Sequence, residues 1–139
     1  MPELKNYKMF IGGEWLDSDT KKTFKTLNPE DNKPWAIVPE ASASDVDKAV
    51  KAAQKAFEGD WPKLLPRERG KFLRAIGNKL RENAELLGRI ETIDTGKIFR
   101  ETNQQANYIA EYYEYYAGLA DKVEGSVLPI DKPNIQAIT

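Results

Sequence analysis

The sequence predicts a mainly helical chain that opens with two β-hairpins and closes on an extended C-terminal end. Three observations carry the prediction. Two turn signals, Gly12-Gly13 and Asn28-Pro29, each follow a short apolar or β-branched run. Apolar residues then recur at helical spacing between residues 44 and 122. After Gly125 that period stops, and Pro129 and Pro133 limit sheet pairing.

Residues 1–7 read as a frayed, flexible tail. The hairpins are expected over 8–39. Met9-Phe10-Ile11 and Glu14-Trp15 flank a Gly-Gly pair, and both glycines can take the positive φ of a tight turn. A second extended stretch, Thr23 to Leu27, ends at the turn-starting Asn28-Pro29 and returns through Trp35-Ala36-Ile37-Val38.

Helices are expected over 44–122. Ser44 is the expected N-cap of the first, with Asp45 and Asp47 in the first turn, where the helix dipole favours acids. Val46, Ala49, Val50, Ala53 and Phe57 form one stripe, and Gly59 ends it. Trp61-Pro62 marks a turn. The second helix starts at Pro66, a tolerated first-turn position, and carries Leu73, Ile76 and Leu80 inward. A new phase of Leu87, Ile90 and Ile93 follows Asn83, the expected cap, and stops at Gly96. The last helix is expected from about Asn103 to Ala120, with Ala106, Ile109, Ala110, Tyr113 and Ala117 as its stripe. Residues 126–139 read as an extended, unpaired arm.

The 139 residues suffice for one domain. Lysine plus arginine number 21 and aspartate plus glutamate 22, a balance that gives no electrostatic case for nucleic acid. No apolar run approaches the roughly 20 residues of a membrane span. MPELKNYK lacks the apolar centre of a signal peptide, so a cytoplasmic location is expected. Cysteine and histidine are both absent. Their absence removes thiolate nucleophiles, thiolate metal sites and Ser-His-Asp arrangements from this segment.

Several blocks resemble a known family in order. Phe10-Ile11-Gly12-Gly13-Glu14-Trp15 and Phe24-Lys25-Thr26-Leu27-Asn28-Pro29 are similar to the opening of aldehyde dehydrogenases. Ser44 to Val50, Pro66-Arg67-Glu68-Arg69-Gly70, Glu91 to Lys97, Tyr115 to Ala120 and Gly125 to Pro129 continue the likeness. Betaine-aldehyde-type enzymes look nearest. The resemblance implies an α/β, aldehyde dehydrogenase-like fold, of which residues 8–139 are the N-terminal part of a subunit. In the intact family an aldehyde becomes a carboxylic acid through a cysteine thiolate, with hydride passed to NAD or NADP. No catalytic residue and no cofactor-binding residue of that chemistry is expected here. The nine glycines never take the Gly-x-Gly-x-x-Gly spacing.

The same resemblance implies a metal site. The matching aspartate, Asp94, with backbone carbonyls of Thr26 and Leu27, would hold potassium or sodium. All-oxygen ligands suit a hard cation. The plain alternative is a surface carboxylate paired with Lys97 or Arg100. Tyr108 would lie near the mouth of the aldehyde tunnel, where an aromatic wall suits a cationic substrate. Its plain alternative is ordinary packing among Tyr112, Tyr113, Tyr115 and Tyr116.

The functional expectation is the N-terminal segment of an NAD(P)-dependent aldehyde dehydrogenase, catalytically incomplete as it stands. The expected assembly is a homo-oligomer, with an aldehyde as partner in a complete subunit and neither nucleic acid nor membrane. The rival expectation is a stand-alone, non-enzymatic truncated paralogue that acts as a packing or association module.

Overall fold

The structure, a computed structural model, describes residues 4–139. Five short strands come first: β1 (Lys5–Asn6), β2 (Met9–Ile11), β3 (Glu14–Leu16), β4 (Thr23–Asn28) and β5 (Lys33–Pro39). β2 and β3 are the first expected hairpin, in register from Met9 opposite Leu16 to Ile11 opposite Glu14. Gly12 and Gly13 have φ of +62° and +92°. Two consecutive positive values are what a two-residue hairpin turn needs. β4 and β5 are the second hairpin, and Asn32 takes φ +54° in its turn. Its ladder slips between Thr26 and Leu27, a bulge.

The expected frayed tail is corrected in part. Residues 1–3 lie outside the described residues, but β1 pairs in parallel with Ala36 and Ile37 of β5. The free edge of β5 supplies the ladder, and Tyr7 N–H extends it to the Ile37 carbonyl at 2.9 Å. The Tyr7 and Trp35 rings meet edge to face at 6.1 Å.

Helix α1 (Ala43–Glu58) has its cap two residues before the expected one. Ser42, not Ser44, is the N-cap: its Oγ accepts from Asp45 N–H while the Asp45 carboxylate accepts from Ser42 N–H. That reciprocal pair satisfies two of the backbone donors a helix start leaves open. A single 3₁₀ turn, Trp61–Lys63, leads to α2 (Pro66–Glu82) and α3 (Ala84–Thr95). Asn83 does separate them, but its amide donates to the Lys79 carbonyl at 2.8 Å. It closes α2 instead of capping α3. Gly96, at φ +75°, ends α3. Helix α4 (Phe99–Leu119) starts a turn earlier than Asn103 because Ile98 is already extended and Thr102 N–H reaches the Ile98 carbonyl.

The helices pack through small residues. Among the described residues, the buried apolar set is Ala36, Ala84, Ala106, Ala110 and Ala117. Gly88 lets α3 approach α4 closely, since a Cβ there would sit 2.8 Å from Asn103 N. Thr102, fully buried, fastens the contact by donating to the Gly88 carbonyl at 2.9 Å. The expected inward stripes are only partly inward. Leu73 and Leu80 are half-buried, whereas Ile76, Val46, Val50 and Phe57 are exposed.

The arm also differs from expectation. Strands β6 (Val127–Leu128) and β7 (Ala137–Ile138) pair antiparallel, so 126–139 folds back on itself. Pro129 and Pro133 stand in the connection, where a missing N–H costs no ladder bond.

Candidate functional site

Asp94 lies in the last turn of α3, exposed, where the helix dipole disfavours a carboxylate. What faces it is Thr26. The threonine Oγ1 donates to Asp94 Oδ1 at 2.6 Å across 68 residues of sequence. Neither Lys97 nor Arg100 takes up the carboxylate: Lys97 Nζ pairs with Glu91 at 2.6 Å. Among the described residues Asp94 makes no ion pair. The bulge between Thr26 and Leu27 falls at the same spot, and a bulge leaves part of its backbone unpaired. Thr26 and Asp94 thus bring a hydroxyl and a carboxylate together, with Leu27 next in the strand. Among the described residues no cluster of three His, Cys, Asp or Glu could hold a metal without backbone or hydroxyl help.

Tyr108 sits on the outer face of α4, 55% exposed. Its hydroxyl lies 3.1 Å from that of Tyr112, and the rings meet at right angles with centroids 5.0 Å apart. That hydrogen bond, then charge repulsion from Tyr108, raises the Tyr112 hydroxyl above its ordinary pKa. Tyr115 and Tyr116 form a second perpendicular pair at 5.3 Å. With Glu111 the four line one shallow depression. Tyr113 is half-buried on the opposite side, so the helix is aromatic on two faces.

A third cluster escaped sequence reasoning. Asp45, 2% exposed, accepts from Ser18 Oγ and Ser42 Oγ at 2.8 Å and from Ser42 N at 2.9 Å. Asp19 N–H adds a longer bond at 3.3 Å, and the Asp19 carboxylate pairs with Lys48. The Ser42 N–H, helped by the Ser18 and Ser42 hydroxyls and opposed by burial, holds the Asp45 carboxyl far below the usual carboxylate range. A half-exposed partner, Asp19, raises the Lys48 ammonium above its ordinary value by its hydrogen bond. Ser-x-x-Asp at 42–45 was the available signal. The knot clamps the loop after β3 onto the start of α1, a structural task.

A profile of the aldehyde dehydrogenase family matches residues 15–139. The chain belongs to the aldehyde dehydrogenase family. Among curated members, a (Z)-2-((N-methylformamido)methylene)-5-hydroxybutyrolactone dehydrogenase of Acinetobacter baylyi is 44% identical over 96% of this chain and 27% of its own length. The human mitochondrial 10-formyltetrahydrofolate dehydrogenase is 39% identical over 92% of this chain and 14% of its own. Among solved structures, a betaine aldehyde dehydrogenase of Staphylococcus aureus in complex with NAD+ superposes with TM-score 0.83. It shares 38% identity over 91% of this chain and 26% of that one. An NAD-dependent aldehyde dehydrogenase from Sinorhizobium meliloti gives TM-score 0.89 at 28% identity, over 98% of this chain and 28% of that one. The chain thus spans about a quarter, or less, of the aldehyde dehydrogenases it matches. Their fold accounts for the arrangement above: small sheets and helices of an α/β aldehyde dehydrogenase.

Proposed function

We propose that this chain is the N-terminal segment of an NAD(P)-dependent aldehyde dehydrogenase subunit, packing against the rest of a subunit that carries the chemistry. The carrying observation is exposed surface. The chain presents 11178 Å² to solvent, against roughly 7300 Å² for a self-contained monomer of its mass. The excess is of the size obligate interfaces bury. Apolar side chains such as Val50, Phe57, Tyr115 and Trp15 contribute to it, each about 60% exposed or more. In the complete subunit an aldehyde would become a carboxylic acid and hydride would pass to NAD or NADP, held outside these residues.

Within that subunit this chain has two tasks in the proposal. Asp94, Thr26 and Leu27 hold a potassium or sodium ion, which ties the second hairpin to the end of α3. One carboxylate, one hydroxyl and two carbonyls fall short of the six or more oxygens of a full shell, so water or the rest of the subunit supplies the remainder. Tyr108, with Tyr112 beside it, walls the approach of the aldehyde. Homo-oligomeric assembly and a cytoplasmic setting complete the reading; no helix among the described residues is long and apolar enough to cross a membrane.

Intact-mass measurement of the natural polypeptide tests this. Relatives matched over 26–28% of their length imply a mass near four times 15.8 kDa. A natural product of 15.8 kDa would favour the stand-alone association module instead.

A further inference from the structure

We propose that the concavity between the start of the chain and the 17–22 loop is a binding site for a small dianionic oxyanion of the phosphate class. It measures about 300 Å³, and its wall includes Lys8, Lys21, Lys22, Asp17, Asn6 and Thr23. Three lysines against one aspartate make the wall net positive, in a chain whose total charge is -1. Lys8 Nζ makes a long ion pair with Asp17 at 3.8 Å, beyond hydrogen-bond distance. Lys21 and Lys22 form no ion pair among the described residues. Lys5, stacked over the Tyr7 ring at 4.9 Å, adds a further cation at the rim.

An anion on this wall would be attracted by each lysine that lines it. The backbone that carries Lys21 and Lys22 is also held in place. Their loop is fixed at one end by Ser18, which is 3% exposed and bonded to the buried Asp45 at 2.8 Å. Lys21 N–H returns to the Ser18 carbonyl at 2.8 Å, and Lys21 keeps φ +54°. At the other end the Lys22 carbonyl accepts from Glu40 N–H at 2.9 Å. A fixed turn confines the ordering cost of binding to the lysine side chains. Lysine serves phosphate as a point charge, without the two-pronged geometry arginine would impose. The volume is at the lower end of small-molecule sites, enough for an oxyanion with a short organic tail. This inference stands on the loop and its lysines, independently of the proposed function.

Isothermal titration calorimetry of the 139-residue chain with sodium phosphate, at ionic strength held constant with sodium chloride, tests it. A saturable heat is expected, about tenfold weaker in K21Q/K22Q and unchanged in K71Q/K132Q, whose lysines lie elsewhere. Glycerol phosphate is the second arm: tighter binding than phosphate assigns the site to a phosphomonoester, and equal binding to the free ion. No saturable heat, or equal heat in K21Q/K22Q, overturns the proposal. If that variant loses its helical circular dichroism, Lys8→Gln replaces it, with about threefold weakening expected and unchanged affinity contradicting the site.

Discussion

Thr26 and Asp94 are joined by a 2.6 Å hydrogen bond that links the middle of β4 to the last turn of α3. Local structure cannot bring together groups 68 residues apart; the bond records how the second hairpin docks on the helices. Asp94→Ala should therefore loosen the hairpin and lower stability by about 1 kcal/mol. Thr26→Val should do nearly the same, and the double variant little more, because both remove one interaction. Urea unfolding of the three variants checks this.

The cation adds a second signature. Potassium chloride should raise the melting temperature above that in the same concentration of choline chloride, since an ion bound to the folded state stabilises it. In Asp94→Ala the difference should vanish. Equal melting in both salts for the unaltered chain would remove the cation and leave a hydrogen bond alone.

Asp45 gives a pH dependence. Its carboxyl is held far below the usual range in the folded chain, foremost by Ser42 N–H, whereas an unfolded aspartate titrates near ~3.9. The stability from this knot is complete above that value and drains away as pH falls below it. Asp45→Asn should melt roughly 5 °C or more below the unaltered chain at neutral pH, with the gap narrowing on acidification. Thermal melts from neutral pH down to about pH 3 measure it.

Gly88→Ala tests the close approach of α3 and α4. The added carbon would meet Asn103 N at 2.8 Å, a contact that backbone must move to relieve. Overpacking of this kind costs roughly 1–3 kcal/mol, against the small gain alanine brings to a helix interior. Denaturant unfolding should show a net loss.

The parts of the fold legible in the sequence are those that local chemistry decides. Gly12-Gly13 fixes a hairpin turn, Pro66 opens α2 and Gly96 closes α3. The misplaced features depend on partners distant in sequence. Ser42 prevails over Ser44 as the cap because Asp45 can answer it while also holding Ser18, 27 residues earlier. Residues 5 and 6 form a strand because β5 has a free edge. The stripe of α1 is at the right spacing yet lies open. Periodicity tells which face of a helix is apolar, not what covers it. For Asp94, the resemblance named the residue and the chain supplied an unforeseen partner, the Thr26 hydroxyl.

The isolated chain should oxidise no aldehyde and should self-associate. Contiguous apolar patches beyond a few hundred Å² drive association, and large apolar side chains such as Trp15, Val50 and Phe57 are exposed here. Light scattering and an NADH assay with several aldehydes examine both. A monodisperse monomer, or NADH formation above the blank, would count against the proposed role.

Fragment complementation tests the central claim most directly. The Staphylococcus aureus betaine aldehyde dehydrogenase, with its matching 26% removed, would be mixed with this chain, and NADH formation from betaine aldehyde followed by absorbance. Neither piece should be active alone. The mixture should regain measurable NAD reduction, and the light-scattering aggregate of this chain should disappear as the complex forms. No activity from the mixture, with the chain still self-associated and unbound to the larger piece, would contradict its role as part of an aldehyde dehydrogenase subunit.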